Sequence, residues 1–327
     1  MNLEQHLTDN NCDEQLKDLI ILLSRQAPKI KSVFAHNQDS AGTLNTHGDE
    51  QAELDKVADE IIINALRESN HVKTIASEEQ SDIIEIITPY EGYGITLDPL
   101  DGSSLISVNL SVGTIIGIYP NGNILQEGKN MVASMYILYG PLTILVYTIK
   151  NGVHEFVMDE NGEFTILREN ITMPQGNIYS SGGLKKDHKE KHSKFIEKLE
   201  NDGHKLRYSG SFVADFHQIL RYGGIFSYPS LKNNENGKLR LLFEANPIGF
   251  IAKQAGGEIS TGFKDILDII PKSIEDKVPL YVGNKNKIKN LEEHMKKEKI
   301  DEKDKEIIEE NHINSTNYEV PIYESKQ

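Results

Sequence analysis

The stretch Asp98-Pro99-Leu100-Asp101-Gly102-Ser103-Ser104 directly follows Tyr93 to Leu97, an apolar run that predicts a buried strand. Two carboxylates three residues apart, turned by Pro and Gly, can point at one hard cation. Gly102, Ser103 and Ser104 offer N–H groups and hydroxyls to an anion. An Asx-type turn at a strand end explains the same residues without a ligand, because Asp-Pro and Asp-Gly are common turn pairs. On this stretch alone, the two interpretations have equal weight.

Further carboxylates lie at the ends of other predicted elements. They are Glu78 and Glu79 after a strand at Lys73 to Ala76, Asp49 and Asp55 around a helix start, and Glu244 after the apolar run Leu239 to Phe243. All-oxygen ligation suits Mg²⁺ or Mn²⁺, and roughly two or three such ions could flank an attacking water and a leaving oxygen. Each acid alone is better explained as a cap or an exposed charge, so their joint placement favours a metal site.

Hydrophobic periodicity predicts two amphipathic helices near the start of the chain, over Asp13 to Ser24 and over Glu50 to Ser69, with Asp49 as N-cap of the second. Three buried-strand runs follow Gly102, namely Val112 to Tyr119, Met131 to Tyr139 and Leu142 to Ile149. Asn-Gly pairs at positions 121, 151 and 161 predict type I′ turns and hence an antiparallel meander that ends near Leu167.

From Ile178 onward, strands and helices alternate, which indicates a second α/β unit. We therefore expect an N-terminal α+β domain with the acidic motifs over residues 1–175 and a C-terminal α/β substrate domain over residues 176–292. Residues 293–327 form a charged tail, which we expect to begin as a solvated helix and to end loosely.

Composition excludes several classes of function. The 327 residues carry a formal charge of −15, which repels nucleic acid and acidic lipid. Cys12 is the single cysteine, so an internal disulfide or a cysteine-ligated zinc site is excluded. The uncharged stretch Asn130 to Ile149 is broken by Gly140-Pro141 and is better explained as two buried strands than as a membrane helix. Without a visible signal peptide, we expect a cytoplasmic protein.

Six blocks occur in an order that resembles the class I fructose-1,6-bisphosphatase and sedoheptulose-1,7-bisphosphatase family. The blocks are Gly48-Asp-Glu-Gln51 with Asp55, Ser77-Glu78-Glu79, Asp98 to Ser104, Arg207 to Asp215, Gly223 to Pro229, and Lys238 to Pro247, which is followed by Gln254-Ala-Gly-Gly257. The resemblance runs from about Asp13 to Lys289 and is specific, because all six blocks agree. It implies a layered α-β-α-β-α sandwich, the sugar phosphatase fold of the lithium-sensitive phosphatase group.

The resemblance also implies a role for each matching residue. Metal ligands would be Glu78, Glu79, Asp98, Asp101, Glu244 and the carbonyl of Leu100. Catalysis would use Glu79 and Asp55 to deprotonate the attacking water, with Asp49 closing over the site. Substrate would be bound through its 1-phosphate by Asp101, Gly102, Ser103, Ser104 and Arg240, and through the sugar and distal phosphate by Tyr208, Tyr228, Lys238 and, in a neighbouring subunit's site, Arg207.

The activity implied is Mg²⁺-dependent hydrolysis of the C1 phosphate of a ketose bisphosphate, in gluconeogenesis when the sugar is fructose, by a homo-tetramer or homodimer. Gly48 to Gln51 and Ser180 to Leu184 look more like the sedoheptulose enzymes, whereas Tyr228-Pro229 and Asn246-Pro247 look more like the fructose enzymes. A dedicated sedoheptulose-1,7-bisphosphatase and a chain that accepts both sugars stay open. An inositol-phosphatase-like enzyme and a non-catalytic sugar-phosphate sensor are more distant alternatives.

We predict weak or absent inhibition by AMP. The animal enzymes open a helix with Gly-Thr-Gly-Glu for AMP, whereas this chain has Asn11-Cys12-Asp13-Glu14 there, and Gly92 replaces the lysine expected before Tyr93. Titrating AMP into a phosphate-release assay tests this prediction. An inhibition constant in the low micromolar range would contradict it.

Overall fold

The computed structural model of the protein describes residues 1–36, 49–88 and 91–296. The polar loop around residues 39–46, the side chain of Asp49 and the charged segment from residue 297 lie outside this description. The helices are α1 (Leu3–Asp9), α2 (Glu14–Ser24), α3 (Ala27–His36), α4 (Asp49–Glu68), α5 (Glu190–Asn201), α6 (Phe212–Tyr222), α7 (Asn246–Gln254) and α8 (residues 285–296).

Within the described residues, the first sheet has eight strands in the order β2-β1-β3-β4-β5-β6-β7-β8. Their bounds are β1 (Val72–Ser77), β2 (Ile84–Glu85), β3 (Tyr93–Asp101), β4 (Val112–Tyr119), β5 (Ala133–Tyr139), β6 (Thr143–Thr148), β7 (His154–Met158) and β8 (Phe164–Arg168). Strands β1 and β3 pair in parallel, and the strands from β3 to β8 form the antiparallel meander that the sequence predicts. The stretch 130–149 forms β5, β6 and their turn, and no helix in the described part of the chain is long and apolar enough for a membrane span.

The second sheet has five strands in the part of the chain that the structure describes, in the order β10-β9-β11-β13-β12. Their bounds are β9 (Ile178–Ser181), β10 (Lys205–Leu206), β11 (Gly224–Tyr228), β12 (Gly257–Ser260) and β13 (Leu280–Asn284). Strand β9 pairs in parallel with both neighbours, whereas β13 is antiparallel to β11 and β12.

The helices cover both faces of each sheet, because alternate strand residues point to opposite sides. On β4 and β5, Ile116 and Ile137 face α1 to α4, whereas Ile115 and Tyr136 face α6 and α7. Helices α6 and α7 also pack on the second sheet, whose other face is covered by α5 and α8. The described residues therefore form five layers, which confirms the α-β-α-β-α sandwich.

Several local expectations need correction. Helices α1 and α3 have no counterpart in the sequence-based assignment, and the Asn151 and Asn161 pairs do not form type I′ turns, because only their glycines have positive φ. At Asn121 and Gly122, both φ values are positive, but further residues separate the turn from β5. The apolar run before Glu244 does not end as a strand, because Leu241–Ala245 is a single turn of π-helix continuous with α7.

A buried carboxylate ties the first sheet to α6. Glu155 on β7 has a side chain only 3% exposed, and it accepts hydrogen bonds from Arg168 Nη1 at 3.0 Å and Arg221 Nη1 at 3.1 Å. Arg221 lies near the C-terminal end of α6. This ion pair therefore fixes the end of the helix on the sheet of the other half of the chain.

We expect Glu155→Gln to lower the free energy of unfolding by about 2 kcal/mol, because both guanidinium groups lose a charged partner. This value is below the usual cost of breaking a fully buried pair, since the arginine side chains are 44% and 25% exposed. Urea unfolding measures it. Glu163→Gln, an exposed position beside β8, is the control, and equal stabilities of the two variants would contradict the prediction.

Candidate active site

Strand β3 delivers Asp98 and Asp101 to one point because its pairing with β4 is irregular between these two residues. The bulge lets both carboxylates turn toward the C-terminal half of the chain, whereas a regular strand would put positions three apart on opposite faces. Asp98 Oδ1 accepts the N–H of Leu100 at 3.0 Å, which holds the turn together. This is the Asx turn that the sequence suggests, and it coexists with a cluster of acids.

Helix α6 holds Asp101 from the other half of the chain. Asp101 Oδ2 accepts hydrogen bonds from Ser211 Oγ and from the N–H of Val213, each at 2.7 Å. Ser211 is also the N-cap of α6, where its Oγ accepts the N–H of Ala214. The positive end of the helix and these two donors therefore favour a carboxylate at this position.

Glu244 completes a cluster with Asp98 and Asp101. One carboxylate oxygen from each of the three lies within 4.8 Å of the others, and all three residues are buried. The π-turn carries Glu244 inward, where its Oε2 accepts the N–H of Arg240 at 2.6 Å. An all-carboxylate cluster of this size has the donor chemistry that Mg²⁺ and Mn²⁺ prefer.

Burial and mutual repulsion oppose ionisation of these acids. Desolvation and the nearby Glu78 raise the pKa of Asp98 and of Glu244 well above their ordinary values. Desolvation also raises the pKa of Asp101, to about 6, although the hydrogen bonds from the start of α6 act in the opposite direction. Such a group of acids is stabilised in its ionised form when a cation lies between them.

Glu78 and Glu79 follow β1 and line the same cavity. Glu78 Oε1 accepts a hydrogen bond from Arg240 Nε at 3.0 Å, and Arg240 also forms an ion pair with Glu275. The pKa of Glu79 is raised, first by desolvation and then by the charge of Glu78.

Asp55 lies on α4 and faces the phosphate-binding turn that the sequence predicts. Its Oδ2 accepts a hydrogen bond from Ser103 Oγ at 3.0 Å, whereas its Oδ1 is buried with no hydrogen-bond partner among the described residues. Desolvation raises the pKa of Asp55 to about 7. A buried carboxylate oxygen without a partner, on a residue that lines a polar cavity, indicates a missing donor or cation.

The turn that follows Asp101 depends on Gly102, which has a φ of +80°. A Cβ at this position would lie 2.5 Å from Cβ of Ser211, so a side chain would both strain the backbone and displace the N-cap of α6. After Gly102, Ser103 begins a short 3₁₀-helix, and both Ser103 and Ser104 line the cavity. The cavity volume is about 290 Å³.

The cavity is also lined by three residues that are not acidic, namely Tyr208, Tyr228 and Lys238. Lys238 Nζ lies 5.8 Å from the centre of the Tyr228 ring, and Tyr208 is 44% exposed. Burial raises the pKa of Tyr208 to about 12, which keeps its hydroxyl protonated. These groups could therefore donate hydrogen bonds and a positive charge to an anionic ligand.

Most residues that the sequence singles out line this one cavity. They are Asp55, Glu78, Glu79, Asp98, Leu100, Asp101, Gly102, Ser103, Ser104, Tyr208, Tyr228, Lys238 and Glu244. Arg240 lies behind the cavity wall through its bonds to Glu78 and Glu244. Arg207 does not line the cavity: its guanidinium donates to Gln218 at 3.4 Å and lies over the Tyr222 ring.

Sequence reasoning missed several residues that support the site. Ser211 lies in the Arg207 to Asp215 block. A Ser at a helix start is a recognisable N-cap signal, but its contact with Asp101 is visible only in the folded chain. Asp59 lies one helical turn after Asp55, and its acceptor role for Ser77 and Gln80 has no distinctive sequence pattern. Glu275 pairs with Arg240 across 35 positions, a contact that only the folded chain reveals.

Known proteins resemble this chain along most of its length. The family model described as "Fructose-1-6-bisphosphatase, N-terminal domain" matches residues 3–169, and the one described as "Fructose-1-6-bisphosphatase, C-terminal domain" matches residues 172–296. The boundary that the sequence predicts near residue 175 stays a prediction.

Individual relatives agree with the family models. The class 1 fructose-1,6-bisphosphatase of Methanocorpusculum labreanum is 49% identical over 290 residues, which are 89% of this chain and 90% of the relative. That of Methanospirillum hungatei is 47% identical over 292 residues, 89% of this chain and 94% of the relative. The crystal structure of Leishmania major fructose-1,6-bisphosphatase in holo form is 30% identical, with a TM-score of 0.84 over 90% of this chain and 99% of that chain.

The raised pKa of Asp55 predicts a pH dependence of stability in the metal-free protein. An aspartate in an unfolded chain titrates near about pH 4, so between about pH 4 and 7 the folded state keeps a proton that the unfolded state has released. The free energy of unfolding therefore falls as the pH rises through this range. We expect Asp55→Asn to lack this decrease. The free energy of unfolding of the variant minus that of the parent should therefore increase with pH up to about pH 7 and then stay constant.

Urea unfolding in EDTA at several pH values measures this difference. Asp82→Asn, at an exposed position, is the matched control and should keep a constant difference from the parent. A constant difference for Asp55→Asn as well would show that Asp55 ionises as freely in the folded protein as in the unfolded one.

Proposed function

The chain belongs to the fructose-1,6-bisphosphatase family, and we propose that it is a Mg²⁺-dependent phosphatase that hydrolyses the C1 phosphate of fructose 1,6-bisphosphate to fructose 6-phosphate and inorganic phosphate. The observation that carries the proposal is the buried cluster of Asp98, Asp101 and Glu244, which adjoins the Gly102 turn within one polar cavity. Cation and phosphate sites that share a wall are what this hydrolysis requires.

The residues present fit a hard divalent cation. The buried carboxylates repel one another, and the same cavity is lined by Asp55, whose Oδ1 is buried without a hydrogen-bond partner among the described residues. We propose that Mg²⁺ ions, roughly two or three, are held by Glu78, Glu79, Asp98, Asp101, Glu244 and the carbonyl of Leu100. When bound, Mg²⁺ would neutralise phosphoryl oxygens and the leaving oxygen and make the attacking water more acidic. Mn²⁺ has the same ligand preference and is the expected substitute.

The 1-phosphate is proposed to bind at Gly102, Ser103 and Ser104, beside Asp101. The left-handed Gly102 exposes N–H groups at the start of the short 3₁₀-helix, and the two serines add hydroxyl donors. Arg240, whose guanidinium is paired with Glu78 and Glu275, is proposed to add positive charge beside the phosphate. Binding at fixed N–H groups orients the phosphoryl group for in-line attack.

The proton of the attacking water is proposed to pass to Asp55 and Glu79. Both carboxylates line the cavity, and burial raises the pKa of each, that of Asp55 to about 7. A base with a pKa near the working pH combines a usable fraction of its basic form with enough proton affinity. Asp49, at the first position of α4, is proposed to close over the site.

The sugar and its distal phosphate are proposed to bind to Tyr208, Tyr228 and Lys238. These residues line the same cavity as the acids and offer two phenolic donors and one cation. Arg207 lies outside the cavity of its own chain, and the proposed role in a neighbouring subunit's site agrees with its exposed guanidinium. The proposed assembly is accordingly a homo-tetramer or homodimer, and the proposed setting is gluconeogenesis in the cytoplasm.

Sedoheptulose 1,7-bisphosphate is a proposed second substrate. The chain lacks, around Ser181 to Leu184, the Asn and Tyr that fructose bisphosphatases place on the 6-phosphate. Gly182 packs directly on the Tyr228 ring, where a Cβ would lie 2.3 Å from Tyr228 Cδ2. Position 182 therefore contributes no side chain to the distal phosphate, and the proposed ligands of that phosphate are Tyr208, Tyr228 and Lys238. With fewer contacts to fix the distal phosphate, the site should tolerate a sugar one carbon longer.

The activity is tested by measuring phosphate release in Mg²⁺ from fructose 1,6-bisphosphate, sedoheptulose 1,7-bisphosphate and inositol 1-phosphate in parallel. We expect turnover of the fructose substrate, slower or equal turnover of the seven-carbon sugar, and none of inositol phosphate. Binding of the bisphosphates without phosphate release would instead support a sensor, and turnover of inositol phosphate alone would support the inositol-phosphatase alternative.

Asp101→Asn tests the assignment of the metal cluster in the same assay. This variant keeps an oxygen that can accept from Ser211 and Val213, but it removes one negative charge from the cluster. We expect turnover to fall at least about a hundredfold while the urea midpoint stays close to that of the parent. The control is Glu160→Gln, an exposed position in the turn between β7 and β8. Near-normal turnover of Asp101→Asn would overturn the metal assignment.

A further inference from the structure

A buried carboxylate outside the cavity supports the two glutamates that follow β1. Asp59 lies on α4, one turn after Asp55, and is 0% exposed. Its Oδ1 accepts a hydrogen bond from Ser77 Oγ, and its Oδ2 accepts one from Gln80 Nε2, each at 2.5 Å. Asp59 does not line the cavity.

The two donors to Asp59 stand on either side of Glu78 and Glu79 in the chain. Between them the backbone forms a tight turn, in which the N–H of Gln80 donates to the carbonyl of Ser77 at 3.1 Å. Ser77 Oγ also accepts the N–H of Glu79 at 3.3 Å, and the N–H of Glu78 donates to Leu97 on β3. The Asp59 carboxylate on α4 therefore accepts hydrogen bonds from both ends of the turn that carries the two glutamates.

Burying an ionisable side chain between a helix and a strand costs free energy, because its charged form loses its contact with water. Desolvation is the largest influence on the pKa of Asp59 and raises it, and the opposing influence of the Arg67 charge is smaller. The two short hydrogen bonds account for its presence, because a carboxylate accepts at both oxygens, whereas Asn or Leu cannot. The position of the Asp59 side chain is therefore explained by its two hydrogen bonds to the turn from Ser77 to Gln80.

We propose that Asp59 is a positioning residue that fixes the direction of Glu78 and Glu79 and thereby sets the affinity of the site for divalent metal. The inference rests on the proposed function, since it takes these glutamates as metal ligands. Residues that orient metal ligands typically change metal affinity or activity by about 10- to 100-fold when they are substituted. Asp59 acts through hydrogen bonds to the turn and does not itself touch the substrate.

The test compares Asp59→Asn and Gln80→Leu with the parent protein, because the Gln80 side chain donates to Asp59 alone among the described residues. The Mg²⁺ concentration at half-maximal phosphate release should rise about tenfold or more in Asp59→Asn, and KM for the sugar at saturating Mg²⁺ should change far less. Titration of Mn²⁺ into the metal-free proteins, followed by electron paramagnetic resonance, should show the same loss of affinity without any need for turnover. Glu60→Gln, the exposed neighbour on α4, should leave both readouts unchanged.

Stability separates this role from a purely structural one. If Asp59→Asn lowers the urea midpoint but binds Mn²⁺ and Mg²⁺ as the parent does, Asp59 holds the fold and the proposal is wrong. If Asp59→Asn does not fold, Gln80→Leu carries the test, because it removes only the side-chain bond to Asp59 and keeps the backbone N–H bond that closes the turn. If the parent binds Mn²⁺ but hydrolyses no bisphosphate, the proposed function fails while the Mn²⁺ titration still decides the role of Asp59.

Discussion

Repulsion among Asp98, Asp101 and Glu244 is the constraint on which the rest of the structure depends. Three buried carboxylates, with one oxygen of each within 4.8 Å of the others, oppose folding unless protons or a cation neutralise them. The chain offers them hydrogen bonds from backbone N–H groups and from a helix start, and Arg240 lies behind them. These contacts reduce the repulsion but leave acceptor capacity toward the cavity, which is the property that a metal site needs.

Helix α6 is the element that makes one site from two halves of the chain. Its first turn donates to Asp101 at the end of β3, and its last turn reaches Glu155 on β7. Both contacts join the helix to the first sheet, whereas Phe216 and Ile219 on the same helix pack in a core shared with the second sheet. The packing of α6 between the two sheets therefore helps to set the distance from Asp98 and Asp101 to Glu244.

The meander and the candidate acids could be predicted from local patterns, whereas the layered fold was implied by the resemblance of six blocks to a known family. The apolar run Tyr93 to Leu97 leads into the turn residues Asp98 to Ser104, which is typical of a strand end, and the blocks around it occur in the family's order. What could not be predicted depends on contacts between distant residues. The π-turn that contains Glu244 could not be predicted, because an apolar run of this length fits a strand or a helix. The Asn151 and Asn161 turns differ from type I′ because loop length and flanking contacts override a dipeptide preference. Asp59 has no sequence signal because its importance lies in two donors about 20 positions away.

The separation of the cluster along the chain affects how the protein is made. Asp98 and Asp101 leave the ribosome well before Ser211, Val213 and Glu244 are synthesised, so the first sheet must form while its two acids still face water. Domains generally begin to fold during synthesis, from the N-terminal side. Of the proposed metal ligands, only Glu244 lies in the second half of the chain. The buried cluster of three carboxylates is therefore completed only after the second half has docked.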